Sequence, residues 1–194
     1  MFALGLGAAL FSLAACGPSQ PPLEQGALYG SNIGGAFELV NSAGETVRDS
    51  DFAGQWRMIY FGYAYCPDVC PFDVQRMMAG YNLFAQDHPD LASGVQPIFI
   101  TVDPERDTPE VVGEFTANFS DDLIGLTGTA DQIETAAKAY SVYYNKGDVN
   151  ENGGYLMDHS NAAYLMDRDG NPVALLSVDT SGEAVAAELA QWIR

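Results

Sequence analysis

Apolar positions along the chain fall into short continuous runs separated by stretches with helical spacing, and each pattern predicts an element. Phe37-Glu38-Leu39-Val40 and Glu45-Thr46-Val47 flank Ser42-Ala43-Gly44, which reads as a β-hairpin. Trp56 to Tyr63 is a nearly unbroken aromatic and β-branched run, the sign of a strand buried on both faces. Val74, Met77, Met78, Tyr81 and Phe84 then recur at helical spacing and predict a helix over 72–86. Pro97 to Val102 is a second buried strand. The helix after it carries Val111, Val112, Phe115 and Phe119 and opens with Thr108 as N-cap and Pro109 at its first position. Ile124 to Leu126 is strand-like, and Thr129 with Gln132 forms a capping-box pattern that starts another helix. Val142 to Tyr144 is extended, 149–154 is a polar loop, and Tyr143 and Tyr144 are read as core packing. Ala162 to Met166 and Pro172 to Leu176 are strands joined through Asp169-Gly170, and Val185, Leu189, Trp192 and Ile193 share one face of a closing helix.

Strands alternating with helices make this an α/β chain. A terminal strand–strand–helix unit narrows it to a thioredoxin-like sandwich with an N-terminal β-hairpin. Neither an internal repeat nor a second domain is visible. With 194 residues, 47% hydrophobic and 18% charged, the chain has a normal core and falls outside the disordered and fibrous classes. Its net charge of −18 argues against nucleic acid and against peripheral attachment to anionic lipid.

Residues 1–15 are almost wholly apolar and too short to span a bilayer, so they read as a signal peptide. Leu13-Ala14-Ala15-Cys16 is similar to a bacterial lipoprotein cleavage box, although the first Lys or Arg is Arg48. Cys16 is therefore the expected lipidation site, residues 16–28 a flexible Pro- and Gly-rich tether, and 29–194 the folded domain. That layout implies an exported protein on the periplasmic side of a bacterial membrane, where thiols can oxidise.

The chemistry centres on Cys66-Pro67-Asp68-Val69-Cys70-Pro71, where the central strand hands over to a helix. A helix N-terminus favours thiolate, which makes both sulfurs better nucleophiles and metal ligands. An inert disulfide, a redox dithiol and a metal site all fit the pair. Of the two histidines, His88 in Gln86-Asp87-His88-Pro89 is a solvated turn residue past a helix end. His159 lies just before a buried strand, where a thioredoxin-like fold usually has a cis-proline facing the dithiol; this chain has no proline between 110 and 171. Two sulfurs and one nitrogen with an open fourth position suit Cu(I) better than a structural zinc, which takes four protein ligands. Asp103, at the carboxyl edge of a buried strand, is a candidate for the site rim or for partner docking.

The run Tyr60-Phe61-Gly62-Tyr63-Ala64-Tyr65-Cys66-Pro67-Asp68-Val69-Cys70-Pro71 resembles the signature of the Sco (SenC) family of cytochrome oxidase assembly factors. So do Asp103-Pro104-Glu105-Arg106-Asp107-Thr108-Pro109, Leu126-Thr127-Gly128-Thr129, Ala139-Tyr140-Ser141-Val142-Tyr143-Tyr144 and Asp158-His159-Ser160, in order from about residue 24 to the end. Ala64 departs from the family's usual Thr. The resemblance implies copper held by Cys66, Cys70 and His159 and delivered to the binuclear copper site of cytochrome c oxidase. Its copper-binding subunit is the expected partner, with another periplasmic copper chaperone as a possible donor. Two rivals remain. A thiol–disulfide reductase would use Cys66 and Cys70 to keep the oxidase cysteines reduced and would not need His159. A peroxiredoxin-like peroxidase wants Thr three residues before its reactive Cys, where this chain has Tyr63.

Overall fold

The computed structural model describes residues 20–194. The expected leader and Cys16 lie outside the described residues. A hairpin of β1 (Glu38–Asn41) and β2 (Thr46–Arg48) leads into β3 (Trp56–Gly62), α1 (Val69–Asp87), a single-turn α2 (Pro89–Ala92), β4 (Val95–Thr101) and α3 (Pro109–Ala117). Next come β5 (Ile124–Thr127), α4 (Ala130–Ala139) and a small hairpin of β6 (Tyr144–Lys146) and β7 (Met157–His159). The chain closes with β8 (Ala163–Met166), β9 (Pro172–Leu176) and α5 (Gly182–Trp192). The main sheet has the order β2-β1-β5-β4-β3-β8-β9, and β6-β7 stands apart from it. This is the expected α/β sandwich of thioredoxin type with its N-terminal hairpin.

β3 is buried along its whole length because it is parallel to β4 on one side and antiparallel to β8 on the other. Its alternating side chains serve two layers. Tyr60 stacks on Phe99, which packs against Phe115 of α3. Phe61, one residue on, faces the opposite way and meets Tyr140 at the end of α4 and Tyr164 of β8. This pairing brings the exits of β3 and β4 and the entry to β8 to one end of the sheet, the usual place for an α/β site.

Local signals hold at both expected caps. Thr108 Oγ1 accepts the Val111 amide at 3.4 Å. Thr129 and Gln132 exchange both capping-box bonds, at 2.8 and 3.3 Å. Gly170 supplies the positive φ (83°) that the β8–β9 turn requires.

Three expectations need correction, and one strand is unforeseen. α1 begins at Val69 rather than 72, because Pro71 sits in the first turn, where its missing amide costs no helical bond. Residues 157–159 are a strand, stabilised by antiparallel pairing with residues 144–146. Tyr143 is 63% exposed and is not core, while Tyr144 is half-buried against the core. Residues 20–28, expected as free tether, are docked on the domain: Gln20 Nε2 donates to the carbonyls of Ala190 and Ile193, Arg194 to that of Pro21, and the Leu28 amide to that of Val173. Backbone carbonyls left free at the α5 C-terminus provide the acceptors.

α1 and α5 touch through glycines. A Cβ on Gly80 would lie 2.5 Å from Val185 Cβ and 2.7 Å from the Gly182 carbonyl oxygen. Alanine normally stabilises a helix interior over glycine by about 1 kcal/mol. Here Gly80→Ala should instead lower unfolding stability by roughly 1–3 kcal/mol, since the obstructing atoms are Val185 Cβ, which moves only with its backbone, and a backbone carbonyl oxygen. Urea denaturation of the two proteins checks the sign.

Candidate metal centre

Cys66 and Cys70 arise from one local event, the start of α1. Asp68 holds the N-cap position but makes no capping bond with its side chain. The Cys66 sulfur accepts instead, taking the Cys70 amide at 3.4 Å. Cys66 is half-exposed on the loop and Cys70 is wholly buried in the first turn, and both are free thiols. Only Cys70 is helical, so the two meet through a cap and not as neighbours on one helical face.

His159 comes to them from the end of β7. Its Nε2 is 3.3 Å from Cys70 Sγ, and its Nδ1 is 3.0 Å from the Ser160 carbonyl oxygen. With the proton on Nδ1 donated to that carbonyl, the Nε2 lone pair faces the sulfur, the tautomer a metal needs. The edge of the Tyr63 ring packs against the imidazole at 5.7 Å. No peptide bond among the described residues is cis.

The two thiols are electrostatically unequal. A hydrogen bond from Cys70 is the main cause that holds Cys66 far below an ordinary thiol; the amides of Asp68 and Cys70 add to it, against burial. Cys70 is pushed far up, first by that hydrogen bond to Cys66 and then by burial. Both directions favour the thiolate on Cys66 and the proton on Cys70. No group of three or more His, Cys, Asp and Glu side chains among the described residues forms a ready metal cage. Cys70 and His159 stand at hydrogen-bond distance, and loss of the Cys70 proton would leave two sulfurs and a nitrogen, a donor set suited to a soft monovalent metal.

Asp103 does not reach the sulfurs. Its carboxylate is 2% exposed, accepting from the Tyr155 hydroxyl at 2.9 Å and from Arg106 Nε at 2.5 Å. Arg106 also donates to the Tyr155 carbonyl at 2.9 Å and lies over the Tyr155 ring, 3.6 Å from its centre. Asp107 is buried as well: Oδ2 accepts the Ala64 amide at 2.8 Å and the Thr101 hydroxyl at 2.6 Å. Ala64 thus contributes through its backbone, which Thr would supply equally. Arg106, Asp107 and Tyr155 carry no site role in the sequence reading. Asp107 and Arg106 lie inside a motif that it quoted, so an acid–base pair four residues from a buried strand was the available signal. His88 is exposed, with its ring against Phe84 and its amide on the Phe84 carbonyl.

The SCO1/SenC family profile matches residues 25–194. The chain belongs to the SCO1/SenC family. It is 48% identical to the SenC protein of Rhodobacter capsulatus over 140 residues, covering 71% of this chain and 60% of that protein. It is 37% identical to the human mitochondrial SCO1 homologue over 162 residues, 84% of this chain and 53% of the relative. The chain therefore spans little more than half the length of these curated relatives. Among solved structures, Bradyrhizobium japonicum ScoI with copper bound superposes with a TM-score of 0.74 at 38% identity, covering 82% of this chain and 99% of that one. The thioredoxin domain of a Bacteroides vulgatus thiol–disulfide oxidoreductase, 17% identical with a TM-score of 0.58, covers 86% of this chain and 98% of its own and shares the SCO1/SenC fold alone.

The unequal thiols predict unequal chemistry. Around pH ~6, where an ordinary thiol near 8.5 is protonated, Cys66 should react rapidly with iodoacetamide and Cys70 should not. Peptide mass spectrometry identifies the alkylated residue; equal labelling of both would contradict the assignment of the proton.

Proposed function

We propose that this protein is a copper-binding assembly factor that holds one copper ion through Cys66, Cys70 and His159 and passes it to the binuclear copper site of cytochrome c oxidase. The observation that carries the reading is the Cys70–His159 contact, which gathers two thiols and one imidazole nitrogen at the sheet edge. Similarity to a copper-bound ScoI supports the identity of the metal. In this reading copper is cargo. Cys66 is already a thiolate, Cys70 gives up its proton as the metal enters, and His159 offers the Nε2 lone pair. Cys16 would carry the lipid anchor, with leader residues 1–15 removed and the domain outside the cytoplasm near a membrane-bound client. No helix among the described residues is long and apolar enough to cross a membrane. Another periplasmic copper chaperone is the proposed donor.

A second reading, a thiol–disulfide reductase acting on the oxidase cysteines, is favoured by one observation: a half-exposed Cys66 thiolate beside a buried Cys70 thiol is the arrangement that attacks a disulfide and then resolves it.

Copper titration followed by X-ray absorption should give one equivalent bound by two sulfurs and one nitrogen. His159→Ala should lose tight binding, and oxidation to a Cys66–Cys70 disulfide should abolish it, because a disulfide has no thiolate to offer. Undiminished affinity in either sample would defeat the ligand set. In cells, deletion should lower cytochrome c oxidase activity and the copper content of its copper-binding subunit. Rescue by His159→Ala with both cysteines intact would select the reductase.

A further inference from the structure

Behind the buried sulfur lies a polar pair that the ligand set does not use. The Tyr60 hydroxyl, in the middle of β3, donates to Asp73 Oδ2 at 3.0 Å, and both residues are buried. Asp73 stands one helical turn past Cys70 on α1, and its other oxygen is 3.5 Å from Arg76 Nη1. The Tyr60 ring also lies beside the Cys70 sulfur, and burial first, then Cys70 and Asp73, push its hydroxyl far above an ordinary phenol. Tyr60 Cε1 and Cys70 Sγ both border Gly62, where an added Cβ would lie 2.8 and 3.2 Å from them. A phenol has one proton and here two acceptors, a carboxylate and a sulfur.

We propose that Asp73 is a positioning residue for the Cys70 ligand. By taking the Tyr60 hydroxyl proton, it withholds a hydrogen bond from the sulfur and keeps that sulfur a strong electron donor. A charge-assisted bond to a carboxylate is roughly twice as strong as a neutral one, and Arg76 holds the carboxylate in place. While Cys70 is a thiol, the phenol proton goes to Asp73. Once Cys70 has become a thiolate ligand, the phenol proton still points at Asp73, and the sulfur keeps its electron density for the metal. Hydrogen bonds to a ligating sulfur draw off that density and are a known control on the redox potential of copper–thiolate sites. The inference rests on the reading of Cys70 as a copper ligand.

The test uses copper-loaded protein. Asp73→Leu removes the acceptor at similar volume, and Asp73→Asn weakens it at the same shape. In both, the phenol proton turns to the sulfur, so the thiolate-to-Cu(II) charge-transfer band should move to shorter wavelength and the Cu(II)/Cu(I) potential should rise, more for Leu than for Asn. In a Tyr60→Phe background the same substitutions should move neither quantity, because there is no proton to redirect. An unchanged band and potential, or an equal shift with Tyr60→Phe present, would overturn the proposal, the latter by showing that the Asp73 charge acts directly. If Asp73→Leu does not fold, Asp73→Asn carries the same comparison. A wild-type protein without a thiolate–copper band would remove the copper reading itself, and a normal band indifferent to Asp73 would remove only this inference.

Discussion

Cys70 Sγ and His159 Nε2 meet at 3.3 Å across 89 residues of sequence, and most of the site follows from what that contact requires. β3 must lie between a parallel and an antiparallel neighbour, so that its exit and the entry to β8 share one end of the sheet. α1 must then start within a few residues of that exit, so that Cys70 turns inward while Cys66 stays on the loop. The imidazole must also arrive with Nε2 unprotonated, which the Ser160 carbonyl secures by taking the Nδ1 proton. A loose loop could not satisfy all three conditions, because freezing it would cost about 1–2 kcal/mol of backbone entropy per residue.

The hairpin carrying His159 is fixed by a polar brace. Asp103, Arg106 and Tyr155 tie the exit of β4 to the segment just ahead of β7 through three hydrogen bonds and a stacked guanidinium. Lys146 lies over the same Tyr155 ring at 4.0 Å and pairs with Glu105. Buried ion pairs of this kind add little net stability, since desolvation offsets most of the Coulomb gain. Their contribution is geometric: removing Arg106 strands the buried Asp103 carboxylate, so the brace allows one arrangement. Asp107 adds a second tie, from the exit of β4 to Ala64 in the cysteine loop. The segments carrying the two cysteines and His159 are therefore held to the same short stretch, 103–107.

Much of this was legible in the sequence because it rests on local chemistry. Continuous burial of β3, Thr and Pro at a helix start, a capping box and Asp-Gly at a turn each state their structure within a few residues. The pairing of Cys66 and Cys70 with His159 was legible for another reason: the chain has only two histidines, and one of them precedes a buried strand. What was missed depends on distant partners. Residues 157–159 carry no strand signal of their own and become a strand only by pairing with 144–146. The Pro-rich segment after Cys16 reads as free chain until the carbonyls at the end of α5 are in place to receive Gln20. Arg106 looks like a surface charge until Tyr155, 49 positions on, covers it.

Access to the two sulfurs is as unequal as their charge, and this bears on both proposed activities. Cys70 is 0% exposed, closed in by Gly62, Tyr60 and His159, whereas Cys66 lies on the surface between exposed Tyr65 and Val69, with Phe72 nearby. An approaching thiolate from another protein can reach Cys66 and cannot reach Cys70 without opening the helix start. Ligand exchange on a bound metal and attack on a disulfide would both begin at the same sulfur. Cys66 is also the sulfur held as thiolate, by the helix cap and by the thiol behind it. In the copper reading Cys70, wholly buried, and the half-buried His159 would be the remaining ligands, oriented toward each other. A carrier that must bind tightly and still release its cargo is served by that division, with Cys66 open to competition and Cys70 protected from it.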